Sequence, residues 1–349
     1  MYFSRLVKHT IIFITFITLA MSTLSVANAD SKLAKDKVKG PLSVLVLGSG
    51  GPIAASTARA SSGYVIFVEG VPRILMDMGG GTFKSLAQSG VDIANLEHFL
   101  LTHLHLDHTA DMSAIVKTAF FHNLGNGTQR TAKFKFYGPE ANGIPFPEPI
   151  NSDPSIAQYP GSVEYVDAHY NVSTGMERYL NVFAKAIKAG NFNREATDLP
   201  SDFSSDAFTT VFEDPDGLIV KSIAVNHGPV PAVAYRVEYK GHSIVWSGDT
   251  TSKTGNMAKI AAGADILIYD TAIMDDAPAL DSVFHKLHTN PTRMAQVALE
   301  ANPKKLILSH ITPVTESRLN EVKQIVHKSG YQGKIKFAKD LKVYNTVSD

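Results

Sequence analysis

The chain has 349 residues, of which 44% are hydrophobic and 19% charged, a composition that excludes long disorder and coiled coil and favours one or two globular domains. Lys plus Arg and Asp plus Glu each number 33, so the formal net charge is zero and no overall basic field is available to hold nucleic acid. There are no cysteines and 13 histidines, which excludes disulfides and thiolate sites and leaves imidazole and carboxylate as metal-binding groups.

The first 29 residues have the pattern of a secretory signal peptide. Arg5 and Lys8 precede the apolar run 10–21, and small residues at 27–29 provide a cleavage site. The run is short for a membrane span, so we expect cleavage; retention as an anchor is the alternative. Residues 30–349 then carry 31 basic and 33 acidic residues, a formal charge of −2. Export without cysteine favours a bacterial periplasmic or secreted protein that has no stable membrane association after signal cleavage.

The first part of the mature chain is predicted to be rich in strands. Apolar and β-branched runs predict strands at 42–47, 64–69, 73–76 and 98–101. A turn is expected at Gly70 to Pro72, between the second and third of these strands. Helical spacing at 82–90 follows three glycines, so strands are succeeded by a strand–helix alternation typical of an α/β protein.

Prolines are frequent around 138–217 and interrupt regular secondary structure. We interpret this segment as a helical and irregular insertion, with one helix at 176–189. Aromatic side chains in this segment are candidates for a pocket wall, with ordinary packing as the alternative. These residues are Phe146, Tyr159, Tyr165, Tyr170, Tyr179, Phe183 and Phe192.

After the insertion the strand pattern resumes. Strands are predicted at 218–225, 232–239, 243–247, 266–269 and 305–308, with helices at 291–300 and 316–328. The two halves of the chain resemble each other, since each has strands followed by strand–helix units. They predict one domain, residues 30–349, with a four-layered αβ/βα sandwich of two mixed β-sheets.

The strongest motif is Thr-His-Leu-His-Leu-Asp-His at residues 102–108, directly after a predicted strand. In extended chain His103 and His105 point to the same side, whereas Asp107 and His108 fall in the following turn and face a second locus. One segment can therefore serve two metals, and two divalent ions about 3.5–4 Å apart can clamp a hydrolytic water. Four potential ligands at one strand end have no structural need, which disfavours a role as surface or capping residues.

Three further ligand-type residues, His227, Asp249 and His310, also follow predicted strands. Because active sites of sheet proteins collect at the carboxyl ends of strands, we expect all three to converge on the first cluster. A single histidine is more often structural. Three residues in the same context, after one strong motif, favour a shared site.

With these residues the chain resembles the metallo-β-lactamase superfamily, in particular its ribonuclease Z-like branch, which includes periplasmic arylsulfatase-like hydrolases. The resemblance spans nearly all of the mature chain and is carried by segments 47–52, 77–79, 103–108, 247–250 and 308–310. It implies a metallo-β-lactamase-like fold and two metal ions, Zn²⁺ with Mn²⁺ as the alternative. His103, His105 and His227 would hold one ion. Asp107, His108 and His310 would hold the other, and Asp249 would bridge them.

The resemblance also implies a general acid. His288, followed by Thr289, matches a histidine that protonates the leaving group in this branch. Its acidic partner is commonly Glu, whereas this chain has Asp270, one methylene shorter. A carboxylate raises the proton affinity of imidazole and fixes its tautomer. The alternatives are a loop histidine for His288 and a structural cap for Asp270.

Two classes of function fit these residues. The first is a secreted hydrolase of a small anionic ester, an aryl sulfate or a phosphodiester, in which Asp107 orients or deprotonates a metal-bridging hydroxide and His288 protonates the leaving group. Carboxyl esters and lactones need the same groups and are its alternative. The second class is a non-catalytic metal-holding binding protein, which predicts eroded ligand or acid positions; Asp270 is the one departure seen.

Processing of tRNA, which the family branch suggests, is disfavoured by the export pattern, the absence of net positive charge, and the interval of only 22 positions from His227 to Asp249. In the resembled branch the tRNA-binding arm normally occupies this interval. We therefore expect a small-molecule partner and no nucleic acid. The oligomeric state is left open, with a homodimer as one option.

Overall fold

The structure, a computed structural model, describes residues 37–53, 56–94, 96–125, 132–146, 158–186, 188, 190–276 and 283–347. The predicted signal peptide, residues 1–29, lies outside the described residues. None of the helices in the described part of the chain is both long and apolar enough to cross a membrane.

The first sheet takes six strands from the first part of the chain and one from its C-terminal end. They are β1 (Leu42–Gly48), β2 (Gly63–Val68), β3 (Val71–Met78), β4 (His98–Leu100), β5 (Phe134–Pro139), β6 (Arg194–Leu199) and β14 (Val343–Asn345). Their order is β14-β1-β2-β3-β4-β5-β6. Pairing is antiparallel from β14 to β3 and parallel from β3 to β6, so the sheet is mixed.

The second sheet repeats this arrangement. Its strands are β7 (Thr209–Glu213), β8 (Ile219–Ala224), β9 (Val233–Tyr239), β10 (His242–Trp246), β11 (Ile266–Asp270), β12 (Lys305–Ser309) and β13 (Lys334–Phe337). Their spatial order follows the chain from β7 to β13. Pairing is antiparallel from β7 to β10 and parallel from β10 to β13. The predicted similarity of the two halves is therefore visible in the sheets.

Helices cover the outer faces of both sheets. They are α1 (Thr82–Ser89), α2 (Leu106–Thr109), α3 (Met112–Gly125), α4 (Ser162–His169), α5 (Met176–Ala186), α6 (Asn256–Ala261), α7 (Val283–Leu287), α8 (Pro291–Ala301), α9 (Pro313–Glu316) and α10 (Leu319–Lys328). The helix predicted at 316–328 is thus two helices, α9 and α10. Thr312 forms a capping box at the start of α9.

The buried side chains form three layers of core, as strand β1 illustrates. Leu42 and Val44 belong to the core between the two sheets, whereas Leu45 and Leu47 pack against helices on the outer face of the first sheet. Because successive side chains of a strand point to opposite faces, a strand covered on both sides is apolar throughout. A third cluster, including Leu267, joins the second sheet to its helices. The predicted four-layered sandwich with two mixed sheets is confirmed.

The segment 138–217 differs from the irregular insertion that was predicted. It begins inside strand β5, and it supplies β6 and β7, the outermost strands of the two sheets, as well as α4 and α5. Strand β6 has mostly polar and partly exposed residues, so it lacks the apolar alternation by which strands are detected. Further elements that were not predicted from the sequence include α3, α6, α7, β5, β13 and β14.

The first hairpin turns earlier than predicted. Strand β3 already begins at Val71, and the turn consists of Glu69 and Gly70, with φ angles of 49° and 78°. Two consecutive positive φ angles are typical of the two-residue hairpin turn that matches strand twist. Pro72 lies in the strand, opposite Phe67 and next to a register shift, where its missing N–H group is tolerated.

The topology brings the carboxyl ends of the key strands to one edge of the sandwich. In the first sheet, β3 and β4 are parallel neighbours, and in the second sheet β10, β11 and β12 are parallel. The Tyr235 hydroxyl in β9 donates to the Leu101 carbonyl at 2.9 Å, and Val233 N donates to Thr102 O at 2.9 Å. These bonds hold the start of the histidine motif against the second sheet.

Candidate metal centre

The histidine motif changes from extended chain to helix in its middle. His105 has extended backbone angles and precedes helix α2, whose first turn is closed by the His108 N to His105 O bond at 3.0 Å. Asp107 and His108 therefore lie on a helical turn, and His103 lies on the chain before it, with the His103 and His108 ring centroids 4.1 Å apart. Gly79 makes this approach sterically feasible, because a Cβ atom there would lie 2.0 Å from the Asp107 carbonyl oxygen.

One group of ligand atoms consists of His103, His105, His227 and Asp249. His105 Nδ1 lies 3.1 Å from His103 Nε2 and 3.4 Å from His227 Nε2. Asp249 Oδ2 lies 3.7 Å from His103 Nε2 and 3.9 Å from His227 Nε2. Ligand atoms around a tetrahedral zinc ion with bonds of 2.0–2.1 Å are about 3.3 Å apart, which is close to this spacing.

Burial keeps the histidines of this first cluster neutral. It lowers the pKa of His103 and His105 below the usual value and that of His227 to about 3. Neutral imidazole presents a free lone pair, the form that binds a metal. Three nitrogen atoms directed at one point from three neutral rings suit a cation between them.

A second group of ligand atoms consists of Asp107, His108, His310 and again Asp249. Asp107 Oδ2 lies 3.1 Å from His310 Nε2 and 3.5 Å from His108 Nε2. Asp249 Oδ1 lies 3.3 Å and 3.4 Å from the same two nitrogen atoms. Asp249 thus directs one oxygen at each cluster, which is the geometry of a bridging carboxylate.

The second cluster contains polar atoms that the described residues leave unsatisfied. His108 Nε2 and Asp249 Oδ1 are buried and have no hydrogen-bond partner in that part of the chain. Unsatisfied buried polar atoms are unfavourable and require an explanation. A divalent cation coordinated by both atoms is the explanation that the donor set supports, because nitrogen and carboxylate oxygen are ligands that zinc accepts.

Carboxylates dominate the electrostatics of the second cluster. Although burial opposes it, Asp249 and Asp107 raise the pKa of His310 to about 10. Burial likewise opposes protonation of His108, but Asp249 and Asp77 raise its pKa. Burial alone would raise the pKa of Asp107, but His108 and His310 outweigh it and lower this pKa to about 2. A cluster that binds protons this strongly attracts divalent cations, which would displace the protons.

Asp77 orients the second cluster and was given no individual role in the sequence analysis. Its Oδ2 lies 2.8 Å from His108 Nδ1 and accepts a 2.8 Å bond from Trp246 Nε1. Thr102 donates to Asp77 through its backbone N–H. A carboxylate behind a metal-binding histidine fixes the tautomer and ring orientation. Asp77 could have been identified by the same signal as Asp249, since both are acidic residues at the end of a buried strand.

His227 is oriented by the segment that also carries His288. The Leu287 carbonyl oxygen lies 2.7 Å from His227 Nδ1, so Nε2 is the nitrogen directed into the first cluster. Leu287 ends helix α7 and immediately precedes His288. One loop therefore positions both a candidate ligand and the candidate acid.

His288 and Asp270 form a buried pair beside the two clusters. His288 Nδ1 lies 2.9 Å from Asp270 Oδ2 and 3.9 Å from Asp249 Oδ2. Burial disfavours the charged imidazole, but Asp270 outweighs this and raises the pKa of His288. The side chain of Asp270, although shorter than Glu, thus reaches His288. Asp270 Oδ1 also lies 3.3 Å from His310 Nδ1.

All nine residues proposed from the sequence come together at this edge. The seven proposed ligands fall into the two clusters implied by the resemblance, and Asp270 with His288 shares a third group with Asp249 and His310. Their placement is a property of the structure. The roles of ligand, nucleophile-orienting base and acid stay predictions.

Most of the aromatic residues proposed as a pocket wall pack elsewhere. Tyr170 and Phe192 are buried in the core of the first sheet, and Phe183 packs on Phe121. Tyr179 is exposed on α5. Tyr159 differs from these, because its ring contacts His105 with centroids 6.4 Å apart.

Comparisons with known proteins agree with this geometry. A family model described as "Beta-lactamase superfamily domain" matches residues 154–311, and one described as "Anti-Pycsar protein Apyc1" matches residues 42–140. Ribonuclease Z of Mycolicibacterium paratuberculosis (strain ATCC BAA-968 / K-10) is 28% identical over 310 residues, which cover 86% of this chain and 96% of that protein.

Solved structures share the fold over almost their whole length. The metallo-β-lactamase fold protein YhfI from Bacillus subtilis matches with a TM-score of 0.60 and 20% identity, covering 87% of this chain and 99% of that one. The short form of human tRNase Z matches with a TM-score of 0.59 and 20% identity, covering 88% of this chain and all (100%) of the other. At these identities the likeness concerns the fold.

Proposed function

The chain belongs to the metallo-β-lactamase superfamily as a ribonuclease Z-like member, and from this we propose that it is a binuclear metal-dependent hydrolase of a small anionic ester, an aryl sulfate or a phosphodiester. The observation that carries the proposal is the pair of ligand clusters that share Asp249, with the His288–Asp270 pair beside them. Divalent ions bound there, most simply Zn²⁺, would supply Lewis acidity and make a water nucleophilic near neutral pH.

His288 is proposed as the general acid. Its Nδ1 is engaged by Asp270, so Nε2 is the atom that would hold the proton transferred to the leaving oxygen. Because Asp270 raises the pKa of His288, the imidazolium form persists to higher pH and is ready to donate. Asp270 keeps the ring in a fixed orientation during the transfer.

Asp107 is proposed to orient the attacking water as well as to hold an ion. Its Oδ2 faces His310 and His108, and the low pKa of its carboxyl, about 2 because His108 and His310 outweigh burial, keeps it an acceptor. An ionised carboxylate accepts a hydrogen bond from a water and aligns its lone pair for attack.

A small substrate is favoured over RNA by the connection between two ligands. The chain between His227 and Asp249 is taken up by β9 and β10, joined by Lys240 and Gly241, which leaves no room for an inserted arm. The relatives named ribonuclease Z nevertheless do not fit the expectation of no nucleic-acid partner. A precursor tRNA is therefore the second candidate substrate.

The site's chemistry would also serve a carboxyl ester or lactone, which needs the same ions, water and acid. A non-catalytic metal-holding protein is the remaining alternative. The intact His288–Asp270 pair argues against it, since storage or sensing of a metal needs no general acid.

We also propose that the chain is exported and that residues 1–29 are removed, on the strength of Arg5, Lys8, the apolar run 10–21 and the small residues at 27–29. N-terminal sequencing of the protein recovered from a bacterial periplasm tests this. An N-terminus at Asp30 is expected, and recovery of the uncleaved chain in the membrane fraction contradicts it.

The proposed function is tested on the purified chain loaded with zinc or manganese. Elemental analysis is expected to find close to two ions per chain, and Asp249→Ala is expected to lose both, because one carboxylate serves both clusters. Catalytic efficiency is then compared on an aryl sulfate, a bis-aryl phosphate, a lactone and a 3′-extended tRNA at one salt concentration. Hydrolysis of either anionic ester supports the proposal.

The other outcomes are equally informative. Efficient cleavage of the tRNA would make the protein a nuclease, and activity on the lactone alone would assign it to carboxyl ester chemistry. One ion or none in the folded, reloaded chain contradicts the binuclear site. Two bound ions without hydrolysis of any substrate would favour the binding protein.

A further inference from the structure

His105 marks the side from which the first cluster is reached. It is partly exposed, whereas His103, His227 and Asp249 in the same cluster are buried. His105 is therefore the ligand of the first cluster that solvent and a substrate can contact. The side chains around that ring decide which organic group is accepted next to the reacting ester.

Two aromatic residues stand at this position. The Tyr159 ring lies 6.4 Å from the His105 ring, with an angle of 68° between the planes. The Phe146 ring lies 4.6 Å behind Tyr159 at 75°, the edge-to-face arrangement that aromatic pairs prefer. Both residues are half-buried, so part of the Tyr159 surface stays available while Phe146 limits its rotation.

The pair is tied to the chain around the metal centre. Pro145 and Gln158 form an antiparallel bridge that holds the two aromatic residues side by side. Asn142 Nδ2 donates at 3.0 Å to the Pro229 carbonyl, two residues after His227. The aromatic pair is thus anchored beside a candidate ligand.

Two apolar side chains close in sequence to residues of the site are exposed. Leu106, between His105 and Asp107 in the chain, leaves 74% of its surface exposed. Phe284 accepts a 2.9 Å backbone bond from His288 and is itself exposed. These exposed apolar side chains could contact the organic part of a substrate bound at the site.

We propose that Tyr159, held by Phe146, is the subsite for a flat organic group of the ester, and so determines a preference for aryl over alkyl substrates. The proposal rests on the proposed function, because it locates the organic part of the same substrate. A ring stacked on Tyr159 would place its ester oxygen toward the two clusters. An alkyl ester with the same charged group makes no such stacking contact.

The test uses binding, so that it does not depend on turnover. The zinc-loaded full chain is titrated calorimetrically with benzenesulfonate and with methanesulfonate, which carry the same charged group. Tyr159→Ala is expected to weaken benzenesulfonate binding by about tenfold and to change methanesulfonate binding less than twofold. Tyr159→Phe keeps the ring and is expected to bind both as the parent does.

Two controls separate the subsite from general damage. Tyr179→Ala removes a tyrosine that is 57% exposed on α5 and is expected to leave both affinities unchanged. Tyr159→Leu keeps apolar bulk without a flat face and replaces Tyr159→Ala if that variant does not fold. It is expected to lose affinity for benzenesulfonate selectively.

Equal loss of both sulfonates in the Tyr159 variants, or no loss of either, would overturn the proposal, as would failure of the parent chain to bind benzenesulfonate. These results are distinct from failure of the proposed function, which is the absence of ester hydrolysis. A chain that hydrolyses esters but does not distinguish the two sulfonates contradicts the subsite alone.

Discussion

At the scale of single residues, His288 differs from the histidines of the first cluster by its carboxylate partner. Burial lowers the pKa of His103, His105 and His227, whereas at His288 the Asp270 carboxylate outweighs burial and raises the pKa. Similar burial thus leaves the rings of the first cluster neutral, which suits a metal, while the His288 ring can hold a proton, which suits acid catalysis. The largest part of this difference comes from the Asp270 carboxylate, which lies 2.9 Å from His288 Nδ1.

His288→Ala is expected to keep its metal content and to lose turnover by about 10²–10⁴-fold. The loss should be larger for esters with poor leaving groups, which need protonation most. In the parent chain, activity should fall as pH rises through the raised pKa of His288, because only the imidazolium donates. This alkaline decline should be absent from the variant. Steady-state kinetics over pH with nitrophenyl and alkyl esters measures both effects.

His285→Ala is the matched control, since His285 lies three residues before His288, in helix α7, which ends immediately before His288. It is expected to retain turnover and the pH profile. If His288→Ala slows good and poor leaving groups equally, His288 binds or positions the substrate and does not protonate it.

At the scale of elements, the junction of β3, α1 and α2 decides the position of the second cluster. Gly79 follows β3, and its backbone packs directly on the Asp107 carbonyl in α2. Ser61 N donates to the Gly80 carbonyl at 2.9 Å, which ties the same loop to the segment just before β2. A side chain at residue 79 cannot be accommodated without moving α2.

Gly79→Ala is expected to reduce the free energy of unfolding by about 3 kcal/mol, because its Cβ would lie 2.0 Å from Asp107 O. It should also weaken metal binding at the second cluster more than at the first, since Asp107 and His108 belong to α2 and His103 does not. Urea unfolding and stepwise zinc titration measure the two effects.

Gly255→Ala is the control for this substitution. Gly255 precedes α6 with a φ of −70°, and a Cβ atom there meets nothing within 4 Å. It is expected to leave stability and both zinc affinities close to those of the parent. Equal behaviour of the two variants would show that the approach of Gly79 to α2 does not position the second cluster.

At the scale of the whole molecule, His98 connects the two sheets at the end opposite the metal centre. It begins β4 in the first sheet, and its ring stacks on Phe212 of β7 in the second sheet with centroids 3.9 Å apart. The side chain is almost fully buried. Burial, with Lys135 and Arg73 nearby, lowers the pKa of His98 to about 3.

This pKa predicts a loss of stability in acid. Between pH 3 and 6.5 the unfolded chain binds a proton at His98 that the folded chain does not bind, so the free energy of unfolding falls as pH falls, by at most about 1.4 kcal/mol per pH unit. His98→Phe keeps the stacked ring and removes the titration. Its unfolding free energy should therefore depend less steeply on pH in this window, as measured by urea unfolding.

His327→Phe, at an exposed position in α10, is expected to retain the pH dependence of the parent. If His98→Phe also retains the pH dependence of the parent, His98 is already protonated in the folded chain or does not contribute to the pH dependence of the unfolding free energy.

The sequence by itself determined the sandwich, its strand-rich halves and the residues of the candidate metal centre. Buried strands such as β1 and β10 are recognisable because their apolar runs are local. His103 to His108, Asp249 and His310 follow from the rule that functional side chains gather at the carboxyl ends of strands, which needs only the strand boundaries. Asp270 and His288 followed from resemblance, and the structure brings them within 2.9 Å.

Only the tertiary structure decided how these residues are supported and approached. Asp77 reaches His108 across 31 positions of chain, Leu287 reaches His227 across 60, and Tyr159 is the aromatic residue of the segment 138–217 whose ring lies against His105. The polar edge strand β6 exists through its pairing with β5. Such contacts depend on which distant segments pack together, and local spacing carries no information about that choice.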